Sequence, residues 1–228
     1  MSNFVTEVVN DWGETTYVPT LLGNIILAVI VIALLVLAVL ASIRLSKKSA
    51  TAKLTTKQLS FCAMAVALGT VLSYIKLYHF PTGGSITLLS MLVICLPGYF
   101  YGLSAGILTG IAYGVLQMMI DPYILFPAQM VIDYILAFGA MGLSGLFSGK
   151  KFGLVKGYIT AVLGRYVFAV LSGYLFFGAY AWEGWNPLTY SLAYNAIYIF
   201  SECAITLIVL FIPPVNKAIA SIKTMANN

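Results

Sequence analysis

From Ser85 to Ile120 the chain carries no charged residue. A membrane-spanning helix needs about 20 apolar residues, so a run of this length must hold two elements with a break between them. The break falls at Leu96-Pro97-Gly98, with Gly102 just after, and gives helices near 85–100 and 103–120. Gly102, Gly106, Gly110 and Gly114 recur every four residues, which gives the second of these helices a smooth face for close packing. Of the 228 residues 61% are hydrophobic and 8% are charged, where a soluble domain carries about 25% charged residues. The apolar runs are continuous and do not alternate, which fits helices and not the strands of a membrane barrel. The fold class that follows is an all-α integral membrane protein.

Five further apolar runs, at 21–43, 58–78, 126–147, 155–178 and 190–213, bring the expected number of spans to seven. Charge orients them. Arg44, Lys47, Lys48, Lys53, Lys57, Lys150, Lys151, Lys156, Lys217 and Lys223 all fall in segments on one side, and Glu7, Asp11, Glu14, Asp121 and Glu183 on the other. Basic loops stay in the cytoplasm, so the N-terminus is expected outside. This placement also accounts for the net charge of +5 without a nucleic-acid partner. Residues 1–20 hold no Lys or Arg, unlike a signal peptide, so the run at 21–43 reads as a retained helix. The expected organisation is residues 1–57 as extracellular N-terminus, first helix and basic linker, 58–216 as a six-helix membrane domain, and 217–228 as a cytoplasmic tail after Pro213-Pro214. Cys62, Cys95 and Cys203 lie in apolar runs with no CxxC spacing and read as small buried residues, with no metal implied. His79, the one histidine, is assigned no role.

Three charges fall deep inside the expected spans, away from their ends: Asp133, Arg165 and Glu202. Each costs roughly 2.5–3.5 kcal/mol or more unless paired or hydrated. Counting 1.5 Å per residue puts Arg165 and Glu202 level, so they are expected to form a structural ion pair. Asp133 is left in the outer half, level with the stretch from Tyr180 to Asn195, YAWEGWNPLTYSLAYN. Aromatic residues gather at membrane interfaces as anchors, and that is one reading of the stretch. The other is a wall of ring faces and polar groups around a flat cation, with Asp133 as its counterion. In the helix at 58–78, Ala63 and Ala67 put small side chains on one face, where a helix of this bundle or of a partner could approach closely.

Several segments carry a resemblance: FPTGGSITLLSM at 80–91, the glycine helix at 102–114, DPYILFPAQMVIDYILAFGAMGLSGLF at 121–147, SGYLFF at 172–177 and the aromatic stretch at 180–195. From about Leu54 onward the chain resembles the thiamine-specific substrate-binding subunits, or S components, of energy-coupling factor transporters. The resemblance implies a six-helix core in the cell membrane of a prokaryote, to which the helix at 21–43 is an addition. It implies thiamine as ligand, no cofactor and no enzymatic activity. It further implies a binding site of Asp133, Tyr134, Gly173, Phe177, Trp182, Tyr190 and Asn195, with Asn195 suited to an aminopyrimidine edge. The small-residue face of Ala63 and Ala67 would meet an energy-coupling module made of two ATPases and a transmembrane coupling subunit. One position departs from the pattern, because Ala169 stands where the family often has histidine.

No GxxxxGK[ST] loop occurs in the sequence, so ATP hydrolysis would have to come from other subunits. A stand-alone carrier driven by protons or sodium through Asp133, Arg165 and Glu202 is the alternative, although such carriers commonly show internal repeats and none is evident here. A membrane enzyme has no HExxH, GxSxG or clustered carboxylates to support it.

Overall fold

The structure, a computed structural model, describes residues 5–9, 15–22, 25, 54–80, 83–120 and 126–228. All but three residues of the expected helix at 21–43, the linker as far as Lys53, Pro81-Thr82 and Asp121-Pro122 lie outside the described residues. Two short strands, β1 (Val5–Val9) and β2 (Thr15–Pro19), pair antiparallel near the N-terminus.

Helix α1 spans Thr56–Tyr74. Its start is set locally by a capping box. The Thr55 hydroxyl accepts from the Gln58 amide, and the Gln58 side chain accepts in turn from the Thr55 amide. The helix ends sooner than the apolar run predicts, because Lys76–His79 (β3) pairs antiparallel with Ser85–Thr87 (β4). Gly83 and Gly84, at φ +90° and +81°, lie in the turn between them. Helices α2 (Ser90–Tyr101) and α3 (Leu103–Ile120) follow. The helix runs through Pro97, and the chain turns at Gly102, where φ is +93°. The expected break is therefore displaced from the proline to the glycine.

The next span, α4, covers 127–147 and is not a uniform helix. It is α-helical over Pro127–Met130, π-helical over Val131–Leu136, α-helical over Ala137–Gly139 and 3-10 over Ala140–Phe147. It packs against α2, α3 and α5 (Gly153–Phe176), and α5 packs in turn against α6 (Pro187–Leu210). The glycine stripe explains how α3 and α4 come so close. A Cβ at Gly106 would sit 2.9 Å from the Gly142 Cα, and Cβ atoms at Gly110 and Gly114 would overlap the carbonyl oxygens of Phe138 and Tyr134. Gly102 has nothing within 4 Å and belongs to the turn, not to this face. Gly114→Ala is accordingly expected to cost about 1–3 kcal/mol through overpacking, read as a lower melting temperature in detergent.

The chain does not stop at Pro213-Pro214. The two prolines begin a further helix, α7 (Pro213–Asn227), where a missing N–H costs nothing. Ile219 and Ala226 of α7 are buried, and Lys223 lies 3.7 Å over the Tyr99 ring and donates to the Ser148 carbonyl. The expected tail is thus a helix folded onto the bundle.

Among the described residues five helices are long and apolar enough to cross a membrane: α1, α3, the 128–147 part of α4, α5 and α6; α2 is a shorter apolar helix. Leu59, Met64, Leu68 and Val71 on α1 and Leu108, Val115 and Met119 on α3 are exposed, as lipid-facing side chains would be. The chain is a mostly helical membrane protein. Cys62, Cys95 and Cys203 are buried and free, and no group of metal-ligating residues occurs among the described residues.

Candidate functional site

The π-helical stretch carries Asp133. Insertion of a residue into a helix in this way shifts the side chains that follow it to another face, and such stretches recur at functional sites. Here it turns Asp133 and Tyr134 to a cavity of about 200 Å³ between α4, α5 and α6. Gln129, one turn earlier and buried, donates from Nε2 to Asp133 Oδ2 at 2.9 Å. The carboxylate is thereby held in one orientation at the wall of the cavity.

Helix α5 supplies Arg165, Ala169, Ser172 and Gly173 to the wall, and Phe177 follows at its end. Gly173 is there because α6 passes close. A Cβ would overlap the Ser191 hydroxyl and come within 3.0 Å of Asn195 Nδ2. Helix α6 starts at Asn186, whose side chain caps the first turn by accepting from the Leu188 and Thr189 amides. It presents Tyr190, Ser191, Tyr194, Asn195 and Tyr198 to the cavity, a spacing that a 3.6-residue period puts on one face. The Tyr190 and Tyr194 rings lie 5.3 Å apart at 36°, and those of Tyr194 and Tyr198 6.1 Å apart at 68°.

Asn195 is tightly engaged. Its Nδ2 donates to the Ser191 carbonyl at 2.8 Å and to the Ser191 hydroxyl at 3.2 Å, and its Oδ1 accepts from the Tyr198 hydroxyl at 2.8 Å. An amide oxygen has two lone pairs, so one acceptor position is left for a ligand and no donor. Asn195 can accept a hydrogen bond from an exocyclic amine through Oδ1, while its Nδ2 is already engaged with Ser191.

The turn of the β3–β4 hairpin forms the remaining wall through Gly83 and Gly84. The Tyr194 hydroxyl donates to the Gly83 carbonyl at 2.7 Å, and the Phe80 ring packs on Tyr194 at 5.6 Å. A Cβ at Gly84 would meet the Tyr198 ring at 2.9 Å. Thus α6 fixes the turn over the cavity.

Of the residues expected in a site, Asp133, Tyr134, Gly173, Phe177, Tyr190 and Asn195 line this one cavity. Trp182 does not. It is 43% exposed and touches Tyr190 edge-on at 5.3 Å, so it backs the wall from outside. Sequence reasoning held Tyr194 within the aromatic stretch without singling it out and missed Tyr198; the four-residue spacing from Tyr190 could have shown both. It also missed Gln129, one turn before Asp133, and the hairpin glycines, for which no local signal exists.

The expected Arg165–Glu202 pair is absent. Glu202 is buried and accepts four hydrogen bonds: from the Thr87 amide at 3.1 Å, the Thr87 hydroxyl at 2.7 Å, the Ser90 hydroxyl at 3.2 Å and the Met91 amide at 3.0 Å. Those donors lie at the end of β4 and in the first turn of α2, so the carboxylate of α6 ties the two together and stands at the positive end of that helix. Arg165 instead stands over the Phe138 ring, its guanidinium carbon 4.6 Å from the centroid. Ala63 and Ala67 are exposed on α1, not packed inside the bundle.

Residues 59–221 match the family described as thiamine transporter protein (Thia_YuaJ). The chain is 38% identical over 148 residues to the thiamine transporter ThiT of Bacillus subtilis (strain 168), an alignment covering 58% of this chain and 77% of that protein. It superposes on the solved structure of ThiT from Listeria monocytogenes with a TM-score of 0.58 and 29% identity, covering 69% of this chain and 94% of that one. The match takes in the whole cavity and excludes the N-terminal hairpin. This chain, a multi-helix membrane protein and not an enzyme, therefore belongs to the thiamine transporter protein family.

Proposed function

We propose that this protein is the thiamine-binding S component of an ATP-driven energy-coupling factor transporter, taking thiamine in the cavity around Asp133. The observation that carries the reading is the pairing of a held carboxylate with tyrosine faces in one membrane-embedded cavity. Thiamine has a permanently charged thiazolium ring, which a site cannot accept in neutral form. A carboxylate meets the charge, and each cation–π contact adds about 0.5–2 kcal/mol. The aminopyrimidine needs a flat surface and an acceptor for its amine, which Tyr190 and Asn195 Oδ1 supply. Ala169 leaves the α5 wall without a polar group at its level.

Coupling to separate ATPases is favoured over a stand-alone carrier by α1. It presents Ala63 and Ala67 outward on a face where a partner helix backbone could lie close. Reconstitution tests both readings. Thiamine uptake into vesicles is expected only when the coupling subunit and ATPases are present with ATP. Ala67→Trp is expected to abolish that uptake while thiamine binding to the isolated chain stays unchanged. Gradient-driven uptake by the chain alone would establish the secondary carrier instead.

The hairpin turn bears on release. Tyr194→Phe keeps the ring and removes the bond to Gly83, a neutral hydrogen bond worth about 0.5–1.5 kcal/mol. Thiamine dissociation is expected to quicken about 2- to 10-fold with little change in association, as measured by stopped-flow tryptophan fluorescence. An unaltered dissociation rate would show that the turn does not retain the ligand.

A further inference from the structure

Hydroxyls on the helices of this bundle commonly settle on their own backbone. Thr70, Thr109, Thr160 and Ser221 each donate to the carbonyl four residues earlier, at 2.8–3.0 Å. Ser172 of α5 does not. It is 1% exposed, and its Oγ has no hydrogen-bond partner. Two other buried hydroxyls are in that position, those of Tyr158 and Thr206, but they stand beside one another. Ser172 stands beside the Asp133 carboxylate, in the wall of the same cavity. We propose that Ser172 is a positioning residue for Asp133: when the ligand's cation draws on the carboxylate, the Ser172 hydroxyl donates to it from α5, adding to the hold of Gln129 from within α4. The inference rests on the thiamine reading above.

The argument begins with the cost of an idle donor. A hydroxyl taken out of water and left unpaired is unfavourable. Its usual outlet, the Phe168 carbonyl four residues earlier, is not taken. Apolar packing adjoins it: Phe176, one turn further along the same face of α5, is buried in a cluster with Ile132 and Leu136 of α4, and Phe126 stacks on its ring at 5.5 Å. The polar neighbour is Asp133, and a carboxylate is a stronger acceptor than any carbonyl.

Asp133 gains from the same bond. Gln129 and Asp133 belong to one helix, so their contact at 2.9 Å fixes the carboxylate relative to α4 alone. A donor from α5 fixes it relative to the neighbouring wall of the cavity as well. The attraction between the carboxylate and a cation is strongest when the charge cannot swing away, so Ser172 contributes through Asp133 and need not touch the ligand.

Calorimetry and thermal melts of the full-length purified chain test this. The probes are thiamine and an analogue with a neutral ring in place of the thiazolium. Ser172→Ala is expected to weaken thiamine binding about 10-fold, the loss of one hydrogen bond to a charged group. The neutral analogue should bind Ser172→Ala as it binds the wild type, and that binding also shows the variant to be folded. In the Asp133→Asn background, adding Ser172→Ala should cost thiamine nothing further, because the residue acts through the charge. Without ligand, Ser172→Ala should melt no lower than the wild type, since it removes an unpaired hydroxyl and no existing hydrogen bond. Unchanged thiamine affinity in Ser172→Ala, equal losses for the charged and neutral ligands, or an undiminished further loss in the Asp133→Asn background would each overturn the proposal. A clear drop in the melting temperature without ligand would make Ser172 a residue of the fold and overturn it too. Failure of the wild type to bind thiamine is a different result and would overturn the function proposed above.

Discussion

Asp133→Asn is expected to weaken thiamine binding about 10- to 100-fold. The change keeps the size of the side chain, and the Asn carbonyl can still accept from Gln129 Nε2, which now lies 2.9 Å from Asp133 Oδ2. What disappears is the charge. A charge-assisted contact is worth about 1.5–3 kcal/mol, which sets the expected loss. The loss should depend on the ligand's own charge. An analogue whose thiazolium is replaced by a neutral ring should lose much less, because it never used the carboxylate as counterion. Tyr190→Phe and Asn195→Ala should weaken both ligands alike, since they act on the part the two share. Titration calorimetry of both ligands against wild type and Asp133→Asn checks the expectation. Equal losses would mean that Asp133 holds the fold or the pyrimidine, and the counterion role would be wrong.

Glu202→Ala is expected to cost stability, on the order of 3–5 kcal/mol. Two of its four donors are backbone amides, Thr87 at the end of β4 and Met91 in the first turn of α2. Each would be left unpaired, at about 1–3 kcal/mol apiece, and the helix would lose the anion at its positive end. Glu202→Gln keeps two acceptor positions on its oxygen and should fall between. Arg165→Ala removes a contact with one ring, worth about 0.5–2 kcal/mol, and should be the milder change. Because Glu202 and Arg165 have separate partners, the double variant should lose about the sum of the two single losses. Denaturation of the purified chain in detergent measures all three. A double variant clearly less damaged than that sum would mean that the two charges do pair.

The membrane spans were legible in the sequence because burial in lipid acts on each residue by its polarity, with no need of partners. Continuous apolar runs located α1 and α3 to α6 closely. The glycine stripe at 106, 110 and 114 was legible for a similar reason: close approach of two backbones excludes every side chain, so it leaves a periodic mark on one chain. Asp133 stood out because a charge at that depth has to be explained. The caps at Thr55 and Asn186 were not read from the sequence, and they start α1 and α6 a few residues before the apolar runs at 58 and 190.

The tertiary structure decided what depends on a second coordinate. Depth along a helix put Arg165 and Glu202 level, but pairing also needs their helices rotated to face one another. The packing turns Glu202 toward the start of α2 and Arg165 toward Phe138. Rotation is set by side-chain fit across several helices, and no single run records it. The π-helical register that aims Asp133 and Tyr134 is a choice of hydrogen-bond partner within α4, invisible in composition. The β3–β4 hairpin draws residues out of two apolar runs because Lys76–His79 finds Ser85–Thr87 as a partner, and strand pairing is a property of two segments at once. Trp182 is a site residue by the family resemblance, yet it packs edge-on against Tyr190 and does not line the cavity. A side chain's place in a wall is fixed by what packs in front of it, and that is known only when the whole bundle is assembled.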